Sequence, residues 1–423
     1  MTTTDPVHIS RDLLFEYFMA NARPREEWLV GMELEKMGRA RSDGRPIPFD
    51  GDGPTVRGVL ELIQKRRGGD PVREAEHLIG IEAPWGSITL EPGGQVEWSS
   101  RPRADLDSLR RELREHLAVM DQAASELDLD WLDVAVDPTH GVSEMPWMPK
   151  ARYGIMAPYL GRRGRLAHRM MTQSASIQVA FDYADPEDWR RKFKAAALLT
   201  PAAVALFANS ARIDGKESGH RSYRQVIWRE TDPDRCGLPE LVFEPGFGME
   251  AWLDYALDVP ALFRHRARGL VPAGGVPFRQ LLGRTGCDAV KMEDWETHLS
   301  TIFTEVRSYG YIEVRSADVL PGESAFAVPA FWTGLLYHDD ALDGALELGQ
   351  HLDSHDAWME ALESAARDAL DGEAAGRSLG EMAREALRLA RHALLHGAAC
   401  AGGGGSAEEL DRLAERHGLG RLA

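Results

Sequence analysis

Residues 29–37 read LVGMELEKM, and the alternation within this stretch decides the fold class. Apolar side chains alternate along it with small or acidic ones: Val30, Met32 and Leu34 with Gly31, Glu33 and Glu35. Successive side chains of a β-strand point to opposite faces, so one face is apolar and the other carries two carboxylates about 7 Å apart. The stretch therefore predicts a half-buried strand with an acidic face.

Two further strands are predicted on either side of a turn. Residues 87–90 and 95–99 flank the sequence Pro-Gly-Gly at residues 92–94, a composition typical of turns. Glu91 leads into the turn, and Glu97 lies on the polar face of the second strand. The predicted hairpin thus adds two more carboxylates.

The same alternation occurs in residues 311–315 (YIEVR) and 174–182. Glu313 and Arg315 share one face of the former strand, and Gln178 lies on the polar face of the latter. Widely separated parts of the chain therefore supply strands with one apolar and one polar face.

Helices fill much of the remaining sequence. Leucines at helical spacing predict one helix over residues 106–127, and another is predicted over 186–209, where Pro201 should kink or divide it. Residues 355–399 predict two helices broken near 372–376, and the glycine run at 402–406 predicts a flexible linker. Strands and helices without regular βαβ spacing favour an α+β fold around an antiparallel sheet.

The length of 423 residues allows a large enzyme domain with a smaller appendage. We expect a catalytic domain over residues 1–350 and a helical C-terminal extension over residues 351–423 that packs on it. A hydrophobic content of 43% is sufficient for a sizeable core.

The chain carries 67 acidic and 49 basic side chains, a net charge of −18. A negative field disfavours nucleic acid and anionic membranes as partners, although bound metal ions can reverse the sign locally. We expect small-molecule substrates, no nucleic-acid or membrane partner, and a monomer or homodimer.

A cytoplasmic location is expected from three features of the sequence. The three cysteines are widely spaced, the N-terminal residues 1–11 are polar, and no run of about 20 apolar residues is present. The cysteine spacing also argues against a disulfide framework or a structural zinc site.

Five glutamates and a single arginine are predicted on the polar strand faces. Like charges on neighbouring strands repel, so such a face is stable when cations bind to it. Carboxylate oxygens suit Mg²⁺ rather than Zn²⁺. A single acidic strand face more often points to water, and that interpretation stays open as the alternative.

Chemistry that combines carboxylates and magnesium includes the joining of a carboxylate to an amine. The carboxylate is activated by phosphoryl transfer from ATP, and magnesium neutralises the charge repulsion between the two. The sequence has no GxxxxGK[ST], HExxH, GxSxG or GxGxxG motif. Metal ions and arginines would therefore replace the backbone cradle of a P-loop.

Nine segments occur in an order that points to one family. They are GMELEK at 31–36, LEPGGQVE at 90–97, MPKARY at 148–153, SIQV at 176–179, LFANS at 206–210, SYRQVIW at 222–228, DPDRCG at 232–237, DYALDVP at 254–260 and DWETHLSTIFTEVRSYGYIEVR at 294–315. The series, within residues 25–340, resembles glutamate–cysteine ligases of the plant and proteobacterial type. It also resembles the related actinobacterial enzymes that make γ-glutamylcysteine for ergothioneine.

The resemblance implies a funnel-shaped, mainly antiparallel sheet of the glutamine synthetase-like type, flanked by helices. It implies ATP as co-substrate, two or three Mg²⁺ ions, and a γ-glutamyl phosphate that the amine of cysteine attacks. The metal ligands that it implies are Glu33, Glu35, Glu91, Glu97 and Glu313. The catalytic pair would be Glu313 and Arg315.

The resemblance also implies contacts for the substrates. Glutamate would be held by Arg224 and Trp228, with Arg152 and Gln178 as further substrate contacts. Lys150 and Arg315 would contact ATP, and Arg315 would face the transferred phosphoryl group. Core packing is the alternative for Trp228.

Departures from the family pattern concern the acceptor pocket. Ala180 stands where relatives carry Asn, and Leu34 stands where they carry His between the two glutamates. These departures leave open a ligase on the same scaffold that uses another amine. Two further alternatives are an ATP-dependent phosphotransferase and a non-catalytic homologue. The basic stretch at residues 162–169 would be a triphosphate gate or a solvated surface.

Overall fold

A computed structural model describes residues 9–267, 269–397 and 403–422. Residues 1–8 and 398–402, which entered the sequence analysis, lie outside these ranges, and so does the end of the helical segment predicted up to residue 399. The strands, in chain order, are β1 Val30–Ala40, β2 Asp70–Glu74, β3 His77–Ala83, β4 Gly86–Leu90, β5 Val96–Ser100, β6 Leu129–Leu132, β7 Ser176–Phe181, β8 Arg212–Ile213, β9 Lys216–Glu217, β10 Cys236–Gly237, β11 Phe263–Arg266, β12 Gly269–Pro272, β13 Phe303–Thr304, β14 Val306–Ser308, β15 Ile312–Asp318, β16 Glu373–Ala374 and β17 Arg377–Ser378.

Nine of these strands form one sheet in the order β14-β15-β7-β1-β5-β4-β3-β2, and β6 pairs with the last part of β1. All neighbouring pairs in this sheet are antiparallel. The other eight strands form four short two-stranded pairs. The prediction of an α+β fold with a mainly antiparallel sheet is confirmed.

Helices surround the sheet: α1 Arg11–Ala20, α2 Val56–Arg67, α3 Leu106–Leu127, α4 Ala151–Leu160, α5 Ala167–Gln173, α6 Pro186–Phe207, α7 Tyr223–Arg229, α8 Met249–Asp258, α9 Met292–Leu299, α10 Ala327–Leu336, α11 Asp339–Gly349, α12 His355–Asp368, α13 Leu379–His396 and α14 Gly403–Arg416. Helices α3, α6 and α10 contact the strands at the centre of the sheet. They cover its apolar face, where Met32, Leu34 and Val179 are buried.

The helices predicted from leucine spacing have well-defined ends. Helix α3 has the predicted bounds, and the side chain of Asp105 caps its N-terminus by accepting from the amide of Ser108. Helix α6 ends at Phe207, two residues earlier than predicted. Pro201 does not divide α6, because nearly all of its C-terminal half is buried and tertiary packing outweighs the missing hydrogen bond.

The glycine run was expected to be a flexible linker, and that prediction is wrong within the described residues. Helix α14 begins at Gly403, and Arg110 of α3 donates hydrogen bonds to the carbonyl of Gly405 (3.1 Å) and to Glu409 (3.1 Å). Leu410 and Leu413 are buried against the rest of the chain. Burial of this apolar stripe overrides the low helix propensity of glycine.

The break predicted between two C-terminal helices is present, since α12 and α13 are separated by the short pair of β16 and β17. Helix α6 packs against α11, α12 and α13, so the C-terminal helices share its core contacts. The division of the chain at residue 350 stays a prediction.

We predict that Leu410→Ala lowers the free energy of unfolding by about 2–5 kcal/mol, because it leaves a cavity beneath α14. Denaturant-induced unfolding measures the loss, with Glu415→Ala on the exposed face of the same helix as the control. A loss below about 0.5 kcal/mol for Leu410→Ala would contradict the docking of α14.

Candidate active site

The centre of the sheet brings the predicted acidic side chains onto one face. Glu35 of β1 lies directly opposite Glu97 of β5, and Glu33 lies opposite Gln178 of β7 and Ser99 of β5. Residues that pair across antiparallel strands share a face, so these side chains project to the same side. That side is opposite the one covered by α3, α6 and α10.

A cavity of about 270 Å³ lies over this face. Nine of the residues predicted for the site line it: Glu33, Glu35, Glu91, Glu97, Lys150, Arg152, Gln178, Trp228 and Arg315. Two predicted residues lie beneath its wall. Glu313 is 2% exposed and contacts Arg315, and the guanidinium of Arg224 donates to the Arg315 carbonyl (2.9 Å).

The turn that carries Glu91 requires glycine at one position. A Cβ on Gly93 would lie 2.2 Å from the carbonyl oxygen of Thr172, so any larger residue would displace the backbone. The Gly93 amide donates to the side chain of Gln95 (2.9 Å), which fixes the turn from inside. This packing holds Glu91 at the rim of the acidic face.

A β-bulge in β15 shapes the other side of the cavity. The pairing of β15 with β7 shifts between Val314 and Ala317, so one extra residue is accommodated opposite Gln178. Arg315 lies in this bulge, and its guanidinium contacts Glu313 at 2.6 Å. The bulge also turns Asp318 onto the same face as Glu313, since Asp318 pairs with Ser176.

Glu35 is the most buried carboxylate on the β1 side. It accepts hydrogen bonds from the amide of Ser176 (2.8 Å), the hydroxyl of Ser176 (3.3 Å) and the side chain of Gln178 (3.1 Å). Burial, reinforced by the negative charges of Glu97 and Glu91, raises the pKa of Glu35 to about 8. Near pH 7 this carboxyl group holds a proton unless a cation binds.

Glu33 and Glu97 are in the same electrostatic situation. Burial and the charge of Glu91 raise the pKa of Glu97 to about 7, although Thr89 donates a hydrogen bond to it (2.8 Å). Burial and the charges of Glu97 and Glu313 raise the pKa of Glu33 well above its ordinary value. The nearby positive charges, that of Lys150 for Glu97 and those of Arg307 and Arg315 for Glu33, do not outweigh burial and like-charge repulsion on the β1–β5 side.

Glu313 behaves in the opposite way. Burial alone would raise its pKa, but the guanidinium groups of Arg307 and Arg315 outweigh burial and lower it. Arg307 Nε lies 2.6 Å from one carboxylate oxygen of Glu313. The site thus has an ionised, arginine-paired side at β14–β15 and an unpaired, proton-holding side at β1–β5.

The donor set fits hard divalent cations. Four carboxylates and four cationic side chains line the cavity. Arg307 and Arg315 pair with Glu313, and among the described residues no ion pair reaches Glu33, Glu35 or Glu97. Bound Mg²⁺ relieves the repulsion between carboxylates of this kind. Within the described residues, no three His, Cys, Asp or Glu side chains are grouped as a ready-made metal site. The carboxylates accept hydrogen bonds from Ser99, Thr89 and Ser176, and each keeps further oxygen lone pairs for an ion.

Lys150 and Arg152 lie on the cavity wall near the start of α4. The ammonium group of Lys150 donates to the carbonyl of Leu90 (3.1 Å), and burial lowers its pKa. Arg152 donates to the hydroxyl of Ser300 (3.4 Å) and lies 5.5 Å from the ring centre of Phe263. Both cations face the acidic side of the cavity.

Arg224 and Trp228 project from successive turns of α7. The Nε and Nη1 groups of Arg224 and the Nε1 group of Trp228 are buried and find no hydrogen-bond partner within the described residues. The Arg224 guanidinium lies 5.6 Å from the Trp228 ring centre, and that of Arg315 lies 5.9 Å from it. Buried donors without partners next to a cavity fit an anionic ligand.

Gln178 differs from these donors because the protein already uses both ends of its amide. Its oxygen accepts from Arg315, and its nitrogen donates to Glu35. It therefore links the two sides of the site, and its predicted contact with substrate stays a prediction.

Arg307 is the main site residue that the sequence analysis missed. It is buried, lines the cavity, and pairs directly with Glu313 across the hairpin of β14 and β15. The sequence contains a signal for it, because Arg307 and Glu313 are each three residues from Gly310 at the turn. Tyr309 and Tyr311, on either side of that glycine, also line the cavity.

The basic stretch at residues 162–169 lies apart from the cavity. Arg163 pairs with carboxylates near the start of β10, Arg165 approaches Glu230, and Arg169 pairs with Asp214. These ion pairs favour the interpretation as a solvated surface over a gate.

Comparison with known proteins supplies the family. Residues 29–421 match the profile of glutamate–cysteine ligase family 2 (GCS2). The chain belongs to this family. The resemblance drawn from the nine segments is confirmed, and with it the assignment of the chain to the glutamate–cysteine ligase class of enzymes.

Relatives of known name are similar over most of the chain. The chloroplastic glutamate–cysteine ligase of Brassica juncea is 38% identical over 352 residues, which are 82% of this chain and 67% of the relative. That of Arabidopsis thaliana is also 38% identical, covering 82% and 66%, and ligase B of Oryza sativa subsp. japonica is 36% identical, covering 82% and 69%. The chain spans about two thirds of the length of these relatives.

A solved structure supports the fold. Glutamate–cysteine ligase of Francisella tularensis in complex with AMP aligns over 92% of this chain and 81% of its own, with a TM-score of 0.51 and 12% sequence identity. This likeness confirms the ligase fold predicted from the sequence.

The sequence relatives contradict the predicted cytoplasmic location, because the three named above are chloroplastic enzymes. A low cysteine count indicates a reducing environment and does not distinguish one reducing compartment from another. Of the helices in the described part of the chain, none combines the length and the apolar character of a membrane span.

We predict that Glu97→Gln stabilises the metal-free protein by a margin that grows from pH 5 to 7 and is constant above pH 8. The raised pKa of Glu97, about 7, means that the folded state keeps a proton which the unfolded state loses above about pH 4.5. Between these two pKa values the free energy of unfolding of the unmodified protein falls by up to about 1.4 kcal/mol per pH unit, and the loss is complete once the pH has passed 7. Glutamine has no such proton to lose.

Denaturant-induced unfolding in the presence of a chelator, at several pH values, measures this margin as the difference in the free energy of unfolding between the variant and the unmodified protein. Glu82→Gln, on an exposed position of β3, is the matched control and should show no such pH dependence. Parallel pH profiles for Glu97→Gln and the unmodified protein would show that Glu97 is not buried among like charges.

Proposed function

We propose that the chain is an ATP-dependent ligase that joins the side-chain carboxylate of glutamate to the amino group of cysteine, through γ-glutamyl phosphate. The observation that carries the proposal is that one cavity holds crowded carboxylates without ion-pair partners among the described residues, next to buried Arg224 donors without hydrogen-bond partners among them. The family supports it, because relatives are named glutamate–cysteine ligases. γ-Glutamylcysteine serves glutathione biosynthesis, and ergothioneine biosynthesis is the alternative use.

Arg224 is proposed to hold the donor glutamate. Two of its N–H groups, Nε and Nη1, are buried and find no partner among the described residues, and hydrogen bonds from a guanidinium to a carboxylate are strong. The ring of Trp228 forms the wall beside it, and the unpaired Nε1 is a further donor. Arg152 and Gln178 are proposed as secondary contacts at the same end of the cavity.

The phosphoryl group is proposed to lie on the β14–β15 side. Arg315, joined there by Arg307, stabilises negative charge on the transferred group, and Lys150 contacts the ATP phosphates. Glu33, Glu35, Glu91, Glu97 and Glu313 would hold two or three Mg²⁺ ions, which supply neutralisation of the phosphate charge.

The proposed reaction needs no reactant other than ATP, the donor carboxylate and the acceptor amine. The donor carboxylate oxygen forms a bond to the γ-phosphorus as the bond to ADP breaks, giving the acyl phosphate. The neutral acceptor amine then forms the amide bond as inorganic phosphate leaves with the proton that the amine loses.

One observation favours the alternative in which an amine other than cysteine is the acceptor. Ala180 lies directly opposite Glu313 on the acidic face, and it also lines a neighbouring cavity with Glu33 and Tyr311. The departure from the family pattern at this position therefore lies beside the reacting groups. Loss of one polar contact there would alter the preference among amines.

Mass spectrometry of the product from ATP, glutamate and cysteine tests the proposal, together with ADP release across a panel of amines. Release of ADP with γ-glutamylcysteine as product is the expected result. Stimulation by another amine alone would move the assignment to that acceptor. A phosphorylated second substrate without an amide would show a phosphotransferase, and no glutamate-dependent ADP release would refute the proposal.

We predict that Glu33→Gln and Glu313→Gln each lower the turnover number by orders of magnitude while the fold is kept. Each removes a carboxylate proposed as a metal ligand from the reacting face. Steady-state ADP release with circular dichroism measures both effects, and Glu82→Gln is the control. Turnover within about twofold of the unmodified enzyme would contradict the metal-ligand roles.

We predict that Arg224→Ala chiefly raises the Michaelis constant for glutamate, by about 10- to 150-fold, because a charged hydrogen-bond pair is worth about 1.5–3 kcal/mol. Kinetics with each substrate varied in turn measure the effect. An increase confined to ATP would show that Arg224 belongs to the nucleotide site.

A further inference from the structure

We propose that Asp318 is a positioning residue that holds Arg224 in place for the donor amino acid. The inference rests on the proposed function, in which Arg224 binds the carboxylate of glutamate. Asp318 itself does not line the cavity and acts through the loop between α6 and α7.

Asp318 is a buried carboxylate whose partners all come from one loop. It is 1% exposed, and it accepts hydrogen bonds from the amide of Asn209 (2.8 Å) and from the hydroxyls of Ser210 (2.7 Å) and Ser222 (3.0 Å). The loop begins just after α6 and ends at the residue that precedes α7. Asp318 therefore ties both ends of the loop to β15.

The tie continues to the backbone of Arg224. The hydroxyl of Ser210 donates to Asp318 and accepts from the amide of Arg224 (3.1 Å). At the other end of the residue, the guanidinium of Arg224 donates to the carbonyl of Arg315 (2.9 Å). Strand β15 thus fixes the main chain of Arg224 through Asp318 and its side chain through Arg315.

Asp318 also balances the charge of Arg224 without occupying its free donors. Burial lowers the pKa of Arg224, and the opposing contributions come first from Asp318 and then from Glu305 and Glu35. Since Asp318 makes no hydrogen bond to the guanidinium among the described contacts, Nε and Nη1 stay available for a ligand. Asp318 thus helps to keep the arginine charged while leaving these two donors unoccupied.

The bulge explains why Asp318 can act in this way. In an unbroken alternation Asp318 would face away from Glu313, but the extra residue between Val314 and Ala317 turns it to the same side. The irregularity therefore places Asp318 against the loop that leads into α7, the helix that carries Arg224.

The test is a double-mutant cycle between Asp318→Asn and Arg224→Ala, with glutamate and ATP varied separately. Asp318→Asn alone should raise the Michaelis constant for glutamate about tenfold, while that for ATP and the turnover number stay within about twofold. In the Arg224→Ala background, Asp318→Asn should add no further increase, because the group through which it acts is gone.

Asp182→Asn is the matched control, since Asp182 is another buried carboxylate that accepts from a backbone amide, that of Leu29 at 2.8 Å, away from the loop. It should lower stability without separating the two Michaelis constants. Equal increases for glutamate and ATP with Asp318→Asn, or additive effects in the cycle, would overturn the inference and leave a merely structural role.

If Asp318→Asn does not fold, Ser210→Ala carries the test, because it removes the hydroxyl that joins Asp318 to the amide of Arg224. It should raise the Michaelis constant for glutamate about fivefold and leave that for ATP unchanged, as expected for one lost hydrogen bond. An unchanged constant for glutamate would overturn the inference. Absence of glutamate-dependent ADP release in the unmodified enzyme would instead refute the proposed function.

Discussion

Glu35 and Glu97 lie directly opposite each other on buried strands, and water is too scarce there to screen their repulsion. The rest of the site is arranged around this constraint. Arginines on β14 and β15 neutralise Glu313. On the β1–β5 side the hydroxyl and amide donors and the charge of Lys150 do not outweigh burial, and Glu35 and Glu97 keep their protons instead. The cavity therefore has one side suited to divalent cations and another suited to an anionic group in transfer. A ligase that brings ATP to a carboxylate needs both, side by side.

The sequence predicts the strands of this site well because a half-buried strand shows its alternation locally. β1, β5 and β15 were recognised from residues 29–37, 95–99 and 311–315, each within about three residues of its bounds at either end. The shared acidic face followed from the same alternation. Alternation does not predict which strands lie next to each other in the sheet. The sequence analysis therefore does not identify Arg307, which contacts Glu313 from the neighbouring strand.

Local irregularities and long-range packing account for the other failures. The bulge in β15 reverses the side on which Asp318 lies, and a period of two carries no signal for the extra residue. The helix α14 forms in a glycine-rich segment because Leu410 finds a buried site that composition does not reveal. The assignment of metal and substrate roles to particular residues came from the family resemblance. Physical reasoning on the sequence alone reached only a face that should attract cations.

The central claim is that the acidic face takes up divalent cations in exchange for protons. Calorimetric titration of the protein with Mg²⁺ at pH 7, in two buffers with different enthalpies of ionisation, tests it most directly. Because Glu35 and Glu97 have pKa values of about 8 and about 7, binding should release protons, and the measured heat should differ between the buffers. Saturable binding with the same heat in both buffers, or no binding at all, would contradict the account.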